Sequence, residues 1–275
     1  MRMVSTMARP ADVSRDVWGT ITGTGRRSGP ARWSLAEETP VAILVNGEHF
    51  AVVMATPADL EDFALGFAMN EGIVRDPSGL LRLAIAEAAD GFVVNLRVSE
   101  EDAFRGEARR RNLPARASCG ICGAQTLAAA VPALPKVRGI LPRTEAVLSA
   151  FAAFPGFQDM RRENRSTHAA ALCDADGTIL VVREDIGRHS ALDKVAGAAA
   201  RLGPDVSRCF LLLSSRIGFE MVQKAAAIGV PFVAAASAPS GLSLRVAAEA
   251  GLTLAVAAEG ALMIFDHLTV EEPAA

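Results

Sequence analysis

Hydrophobic and polar positions fall into two rhythms along the chain. In the first, short apolar runs at residues 41–45 and 50–54 flank Asn46-Gly47, a pairing that predicts a β-hairpin. Thr56-Pro57-Ala58-Asp59-Leu60 then predicts a helix start, with Thr56 as N-cap and Pro57 in the first helical position. That helix is expected over 58–70, ending near Gly72. Residues 81–86 and 91–98 predict two further strands, the second alternating as Val94-Asn95-Leu96-Arg97-Val98. Residues 99–117 are charged and read as a loop. Residues 39–136 therefore predict a small mixed α+β subdomain.

From residue 137 to 275 the rhythm changes to strand and helix in turn. Helices are expected over 147–154, 192–202, 219–228 and 242–250, and strands over 168–173, 178–182, 210–213, 232–236 and 252–256. Gly229 and Gly251 stand just past two of the helices, and Pro231 follows the first of these, the usual helix-stop chemistry. Such alternation with short loops predicts a layered α/β domain with an at least partly parallel sheet. Residues 1–38, with a polar, glycine-rich run at 20–30, predict a flexible N-terminal segment.

Composition narrows the class. A chain of 275 residues can bury a real core, and with 51% hydrophobic but 5% aromatic residues and no Tyr, that core must be built from Ala, Val, Leu and Ile. The longest apolar stretch, 252–265, is too short to span a bilayer and contains Glu259, so no membrane association is expected. Residues 1–33 contain no apolar block of the secretory kind, which predicts a cytoplasmic protein. A net charge of −3 gives no reason to expect nucleic acid as a partner. Positive charge is local, at 105–116.

Candidate chemistry centres on Cys119-Gly120-Ile121-Cys122-Gly123. In a reducing compartment such a pair is more often catalytic or metal-binding than a structural disulfide. Glycine after each sulfur leaves room for another macromolecule's sulfur atom. The following residues, 124–130, read as a helix opening, where the positive dipole end favours a thiolate. Arg109, Arg110, Arg111 and Arg116 push the same way. Half a zinc site is the plainer alternative, but Cys173 and Cys209 stand alone in hydrophobic runs and read as buried core thiols, so no metal is expected. A redox dithiol is a further alternative. The His-x-Glu of zinc deaminases is absent at both His49 and His168.

In an α/β sheet, ligands bind beyond the carboxyl ends of the strands. The loops expected there are polar or glycine-rich: 183–190 leading to Asp193 and Lys194, 214–218 leading to Glu220 and Lys224, 237–241, and 257–261. Helix N-termini with Arg188 and Arg216 would suit a diphosphate or nucleotide. No P-loop or dinucleotide fingerprint is present. The plainer expectations are an i,i+4 surface pair for Glu220 and Lys224, a helix-dipole role for Glu184 and Asp185, and a capping or ion-paired role beside Asp185 for His189.

Four ordered blocks together resemble the FdhD family of formate dehydrogenase accessory sulfurtransferases. They are the Cys119–Gly123 motif, 56–67 with 70–73, Glu184-Asp185-Ile186-Gly187-Arg188-His189-Ser190-Ala191-Leu192-Asp193-Lys194, and 214–216 with 220–224, within a similarity covering about 38–267. The resemblance implies a three-layer, cytidine-deaminase-like C-terminal domain and a homodimer. It implies that persulfide sulfur passes from a cysteine desulfurase to the molybdenum bis(molybdopterin guanine dinucleotide) cofactor of formate dehydrogenase. Cys119 matches the family's persulfide carrier and Cys122 its second cysteine. The family's cofactor-binding segment falls on Ala257, Ala258, Glu259, Gly260, Ala261 and Leu262, with Arg188, His189 and Arg216 as further candidates. Family members usually carry an aromatic and basic residues in that segment, and this chain carries neither. A non-catalytic cofactor chaperone is the alternative from another class.

Overall fold

The structure, a computed structural model, describes residues 13–23, 28–110, 131–258 and 260–265. Its first elements correct an expectation. Strands β1 (Ser14–Ile21) and β2 (Gly29–Ala36) pair as an antiparallel ribbon, where the polar run predicts flexibility. The reason lies beside the glycines: Val17, Trp18, Thr20 and Ile21 are strand formers, and across the ladder Val17 stands opposite Trp33 and Arg15 opposite Leu35. The ribbon is also anchored. Val13 is buried with Ala58 and Met160, and the Arg165 guanidinium lies 4.9 Å from the Trp33 ring centroid.

Strands β3 (Thr39–Val45), β4 (Glu48–Ala55), β5 (Arg82–Ala88) and β6 (Gly91–Arg97) form a four-stranded sheet ordered β4-β3-β6-β5. The Asn46-Gly47 turn takes the positive φ values (52° and 91°) that its hairpin geometry requires. Helix α1 (Leu60–Asn70) covers one face, packing Phe63 and Phe67 on Val41, Ile43, Val94 and Leu96. It begins later than its sequence signal predicts. Asp59 is the N-cap at φ 51°, and Thr56 is drawn into a tertiary contact instead. Its N–H donates to Asp185 Oδ2 at 3.0 Å, its hydroxyl accepts from Ile186 N at 3.0 Å, and its carbonyl accepts from Lys194 Nζ at 3.0 Å.

A second correction concerns 99–117, where helix α2 (Glu100–Arg110) replaces the expected loop over its first part. Ser99 caps it by accepting from Asp102 N at 3.1 Å and donating to Asp102 Oδ2 at 2.9 Å. Three acids in the first turn and the Arg105–Glu101 and Arg105–Asp102 pairs complete a helix whose charges are local partners rather than loop polarity.

The second half builds a six-stranded sheet from β7 (His168–Asp174), β8 (Ile179–Asp185), β9 (Cys209–Arg216), β10 (Phe232–Ser237), β11 (Thr253–Ala258) and β12 (Ala261–Phe265), ordered β12-β11-β10-β9-β7-β8. β9, β10 and β11 are mutually parallel. Among its helices are α3 (Thr144–Ala153), α4 (Asp159–Asn164), α5 (Arg188–Leu202), α6 (Phe219–Ile228) and α7 (Gly241–Ala250). Residues of α5, α6 and α7 pack on Leu172, Val181, Leu211, Leu213, Val233 and Leu254 on one face. α3 and Phe154 pack on Cys173, Phe210, Leu212 and Phe232 on the other, giving three layers. Ahead of residue 137, Val131 and Leu134 already pack on this second core. Two elements lie outside those that the sequence predicts: α4, which is held by Glu184, and β12, a five-residue hairpin return.

α1 and α5 join the two halves. A Cβ at Gly66 would lie 1.8 Å from the Asp193 carbonyl oxygen, and one at Gly197 would lie 2.0 Å from that of Asp62, so the backbones touch. Buried charges surround the crossing: Arg183 with Asp62 at 2.8 Å, Lys194 with Asp185 at 2.7 Å, and Lys224 with Asp193 at 2.5 Å. Asn70 Nδ2 donates to Asp193 Oδ1 at 2.6 Å.

Candidate functional site

Register places the chemistry on one edge of the six-stranded sheet. β8 runs antiparallel to β7, and β7 antiparallel to β9, so β8 points the same way as β9, β10 and β11. Their carboxyl ends, with the polar loops that follow, therefore share an edge. His168, the first residue of β7, lies there too, opposite Asp185. Helices α5, α6 and α7 start at this edge from Gly187, Gly218 and Ser240; α5 and α6 have no side-chain cap, and in α7 Ser240 Oγ accepts from Ser243 N.

Alternation along β8 sorts its charges. Arg183 and Asp185 face α1 and α5 and are consumed by Asp62 and Lys194. Glu184 faces the other way and accepts from Met160 N and Arg161 N, both at 2.8 Å, capping α4. Its expected dipole role thus belongs to a different helix from the one that follows it. Asp193 and Lys194, expected near a ligand loop, lie in the core one turn inside α5. Nor do Glu220 and Lys224 form a surface pair. Lys224 is buried against Asp193, while Glu220 turns to His189, Oε2 to Nε2 at 3.9 Å. His189 pairs with Glu220 rather than Asp185, because Lys194, Thr56 N and Gly187 N already occupy Asp185.

A cluster of His168, Arg188, His189 and Glu220 remains at the β7–β8 end of the edge. Three of its atoms, His168 Nδ1, Arg188 Nε and His189 Nε2, are shielded from solvent with no hydrogen-bond partner among the described residues. Burial pushes the His168 imidazole below its ordinary pKa, and Arg161, Arg188 and His189 push the same way. Burial also lowers His189, against the opposing pull of Glu220 and with Lys224 and Arg188 adding to it. Burial raises the Glu220 carboxyl, but His189 and Arg188 outweigh it and hold the group below its usual range. The result is a guanidinium beside two imidazoles whose charged forms burial disfavours, each with polar capacity unspent, at a helix N-terminus. That set suits an anion.

The sequence-selected residues do not fall into one pocket. Arg188 and His189 sit at one end of the edge and exposed Arg216 in its middle. Ala257, Ala258, Gly260, Ala261 and Leu262 form the β11–β12 turn at the other, with Gly260 at φ 81°. From β8 to β11 is four strand spacings, roughly 19 Å. Exposed Met263 and Ile264 follow on β12. Cys119, Cys122 and Glu259 lie outside the described residues. Cys173 and Cys209 are buried, their thiols pushed up by burial, Cys209 to about 11. His168 was missed as a site residue. Its one signal was a polar side chain opening an otherwise apolar strand, His168-Ala169-Ala170-Ala171-Leu172. No group of three or more His, Cys, Asp or Glu able to hold a metal lies among the described residues, and no helix there is long and apolar enough to cross a membrane.

Comparison with known proteins gives this edge a context. A crystal structure from Desulfotalea psychrophila, of a protein described as a formate dehydrogenase accessory protein, superposes with a TM-score of 0.70 over 93% of this chain and 98% of that one, at 21% identity. The chain is 44% identical over 232 residues to the Sulfur carrier protein FdhD of Bordetella petrii, covering 84% of this chain and 82% of the relative. It is 40% identical over 244 residues to the protein of that name from Xanthomonas campestris pv. campestris (strain B100), covering 88% and 86%. The model of the FdhD/NarQ family matches residues 36–269, which span the four- and six-stranded sheets and the cysteine motif, and the chain belongs to that family.

Proposed function

We propose that this chain is a sulfur carrier for formate dehydrogenase. Cys119 accepts persulfide sulfur from a cysteine desulfurase and passes it to the molybdenum bis(molybdopterin guanine dinucleotide) that the enzyme uses. The observation that carries this is the Cys119-Gly120-Ile121-Cys122-Gly123 motif in a chain 44% identical to a relative named Sulfur carrier protein FdhD. In the loading step the Cys119 thiolate attacks the outer sulfur of the desulfurase persulfide. The donor's sulfur–sulfur bond breaks, its cysteine leaves as thiolate, and Cys119 becomes the persulfide.

The cofactor is cargo, and the sheet edge supports its docking. Three helix N-termini and Arg188 and Arg216 offer donors to diphosphates. The β11–β12 turn, with Ala257, Ala258, Gly260, Ala261 and Leu262, closes the far end. Such a cofactor carries two dinucleotide arms, and a homodimer would supply one edge to each. With neither aromatic nor base in that turn, the affinity rests more heavily on the Arg188 end.

Complementation of cells lacking their own carrier tests the proposal. Cys119→Ala is expected to abolish formate dehydrogenase activation at an unchanged level of folded protein. Full activation by that variant would overturn the carrier role and favour a cofactor chaperone.

A further inference from the structure

The cluster at the β7–β8 end holds more than cofactor binding by Arg188 and His189 requires. His168 enters it from a different strand, and its Nδ1 is left without a partner beside the orphaned Arg188 Nε and His189 Nε2. The charged groups that face the two imidazoles are Arg161 of α4, Arg188 of α5, and Glu220 and Lys224 of α6. Asp185, opposite His168 in β8, is already held by Lys194, Thr56 N and Gly187 N, so it offers the imidazole no free charge. Lys224 is likewise held by Asp193. With Asp185 and Lys224 set aside, two cations, Arg161 and Arg188, and one carboxylate, Glu220, surround the two imidazoles, an environment that resists further positive charge until an anion arrives.

We infer that His168, Arg188 and His189 form a proton-coupled receptor for the diester diphosphate of a dinucleotide, in which the histidines take up protons as the diphosphate is seated. The inference rests on the cofactor-binding reading and deepens it. Arg188 supplies a fixed charge and the N-terminus of α5 supplies N–H groups. Each imidazole, neutral, has one donor and one acceptor nitrogen. Protonated, it has two donors, and the anion supplies the countercharge. Glu220, with Oε2 3.9 Å from His189 Nε2, is placed to stabilise the protonated ring. A diester diphosphate has no titration of its own near neutrality, so the protons taken up are the protein's.

The full chain is titrated calorimetrically with di(guanosine-5′) diphosphate at several pH values between about 6 and 8, in buffers of different ionisation enthalpy. Net proton uptake is expected, with affinity falling as pH rises by up to about tenfold per pH unit for each histidine charged only in the complex. His168→Gln and His189→Gln should each reduce the uptake. His168→Arg should retain binding with a shallower pH dependence. His49→Gln, on exposed β4, should behave as the parent chain does. Binding without proton uptake, or uptake unchanged in both glutamine variants, would overturn the inference while leaving the cofactor site standing. No binding at any pH would remove the cofactor site as well.

Discussion

Replacing Gly66 by Ala sets two physical effects against each other. On helix propensity alone the change stabilises α1 by about 1 kcal/mol. At the crossing, however, the new Cβ would stand 1.8 Å from the Asp193 carbonyl oxygen and 2.7 Å from Gly197 N, both backbone atoms of α5. Reaching an ordinary contact distance requires the two helices to part by about 1.6 Å. That movement would lengthen the Asn70–Asp193 hydrogen bond from 2.6 Å and the Arg183–Asp62 pair from 2.8 Å past hydrogen-bonding reach. Overpacking costs about 1–3 kcal/mol and each of the two lost polar interactions about as much again, so after the propensity gain a net loss of at least about 2 kcal/mol is expected. For a chain of this size that corresponds to a fall in Tm of roughly 4 °C or more. Thermal unfolding followed by circular dichroism and calorimetry measures it. An unchanged or raised midpoint would refute the backbone-contact account of how the two halves join.

Other consequences are open to the same kind of test. Lys224→Met leaves Asp193 buried without its cation and should cost about 3–5 kcal/mol in denaturant unfolding, with part recovered by adding Asp193→Asn. His168 and His189 both have lowered pKa values in the folded chain. The unfolded chain therefore binds more protons below about pH 6.5, so the stability they contribute is complete above that pH and is lost as pH falls through their folded values. Urea midpoints across that window should fall with acid, and less so in the doubly substituted glutamine variant. Cys173 and Cys209 should resist iodoacetamide at neutral pH until the chain is unfolded, as read by peptide mass mapping.

The parts of the molecule legible in the sequence are those where local chemistry and tertiary packing agree. Asn46-Gly47 needed no distant partner to turn the chain, and Gly229 and Gly251 ended α6 and α7 in the left-handed conformation their position demanded. The misread parts are those where a distant partner decided the outcome. Thr56 carried a good capping signal, but Asp185, Ile186 and Lys194, some 130 residues away, claimed it. Lys224 follows Glu220 at surface-pair spacing, yet the fold turned it inward to Asp193 and left Glu220 to His189. Residues 99–110 look like a charged loop by composition, although Ser99-x-x-Asp102 and the spacing of Arg105 to Glu101 and Asp102 are helix signals, which the structure realises as a cap and ion pairs. On the carboxyl-end edge of the six-stranded sheet, four polar or glycine-rich loops are legible as separate segments. That His168 joins Arg188 and His189 there depended on β7 running antiparallel between β8 and β9, which spacing does not encode.

The central claim is that Cys119 carries sulfur. The purified chain is incubated with a cysteine desulfurase and L-cysteine under conditions in which the desulfurase loads its own cysteine, and intact and peptide masses are recorded without reductant. The account predicts one added sulfur, removable by reductant and located on Cys119, and none in Cys119→Ala. No added sulfur on the parent chain, or the same load on Cys119→Ala, would contradict it.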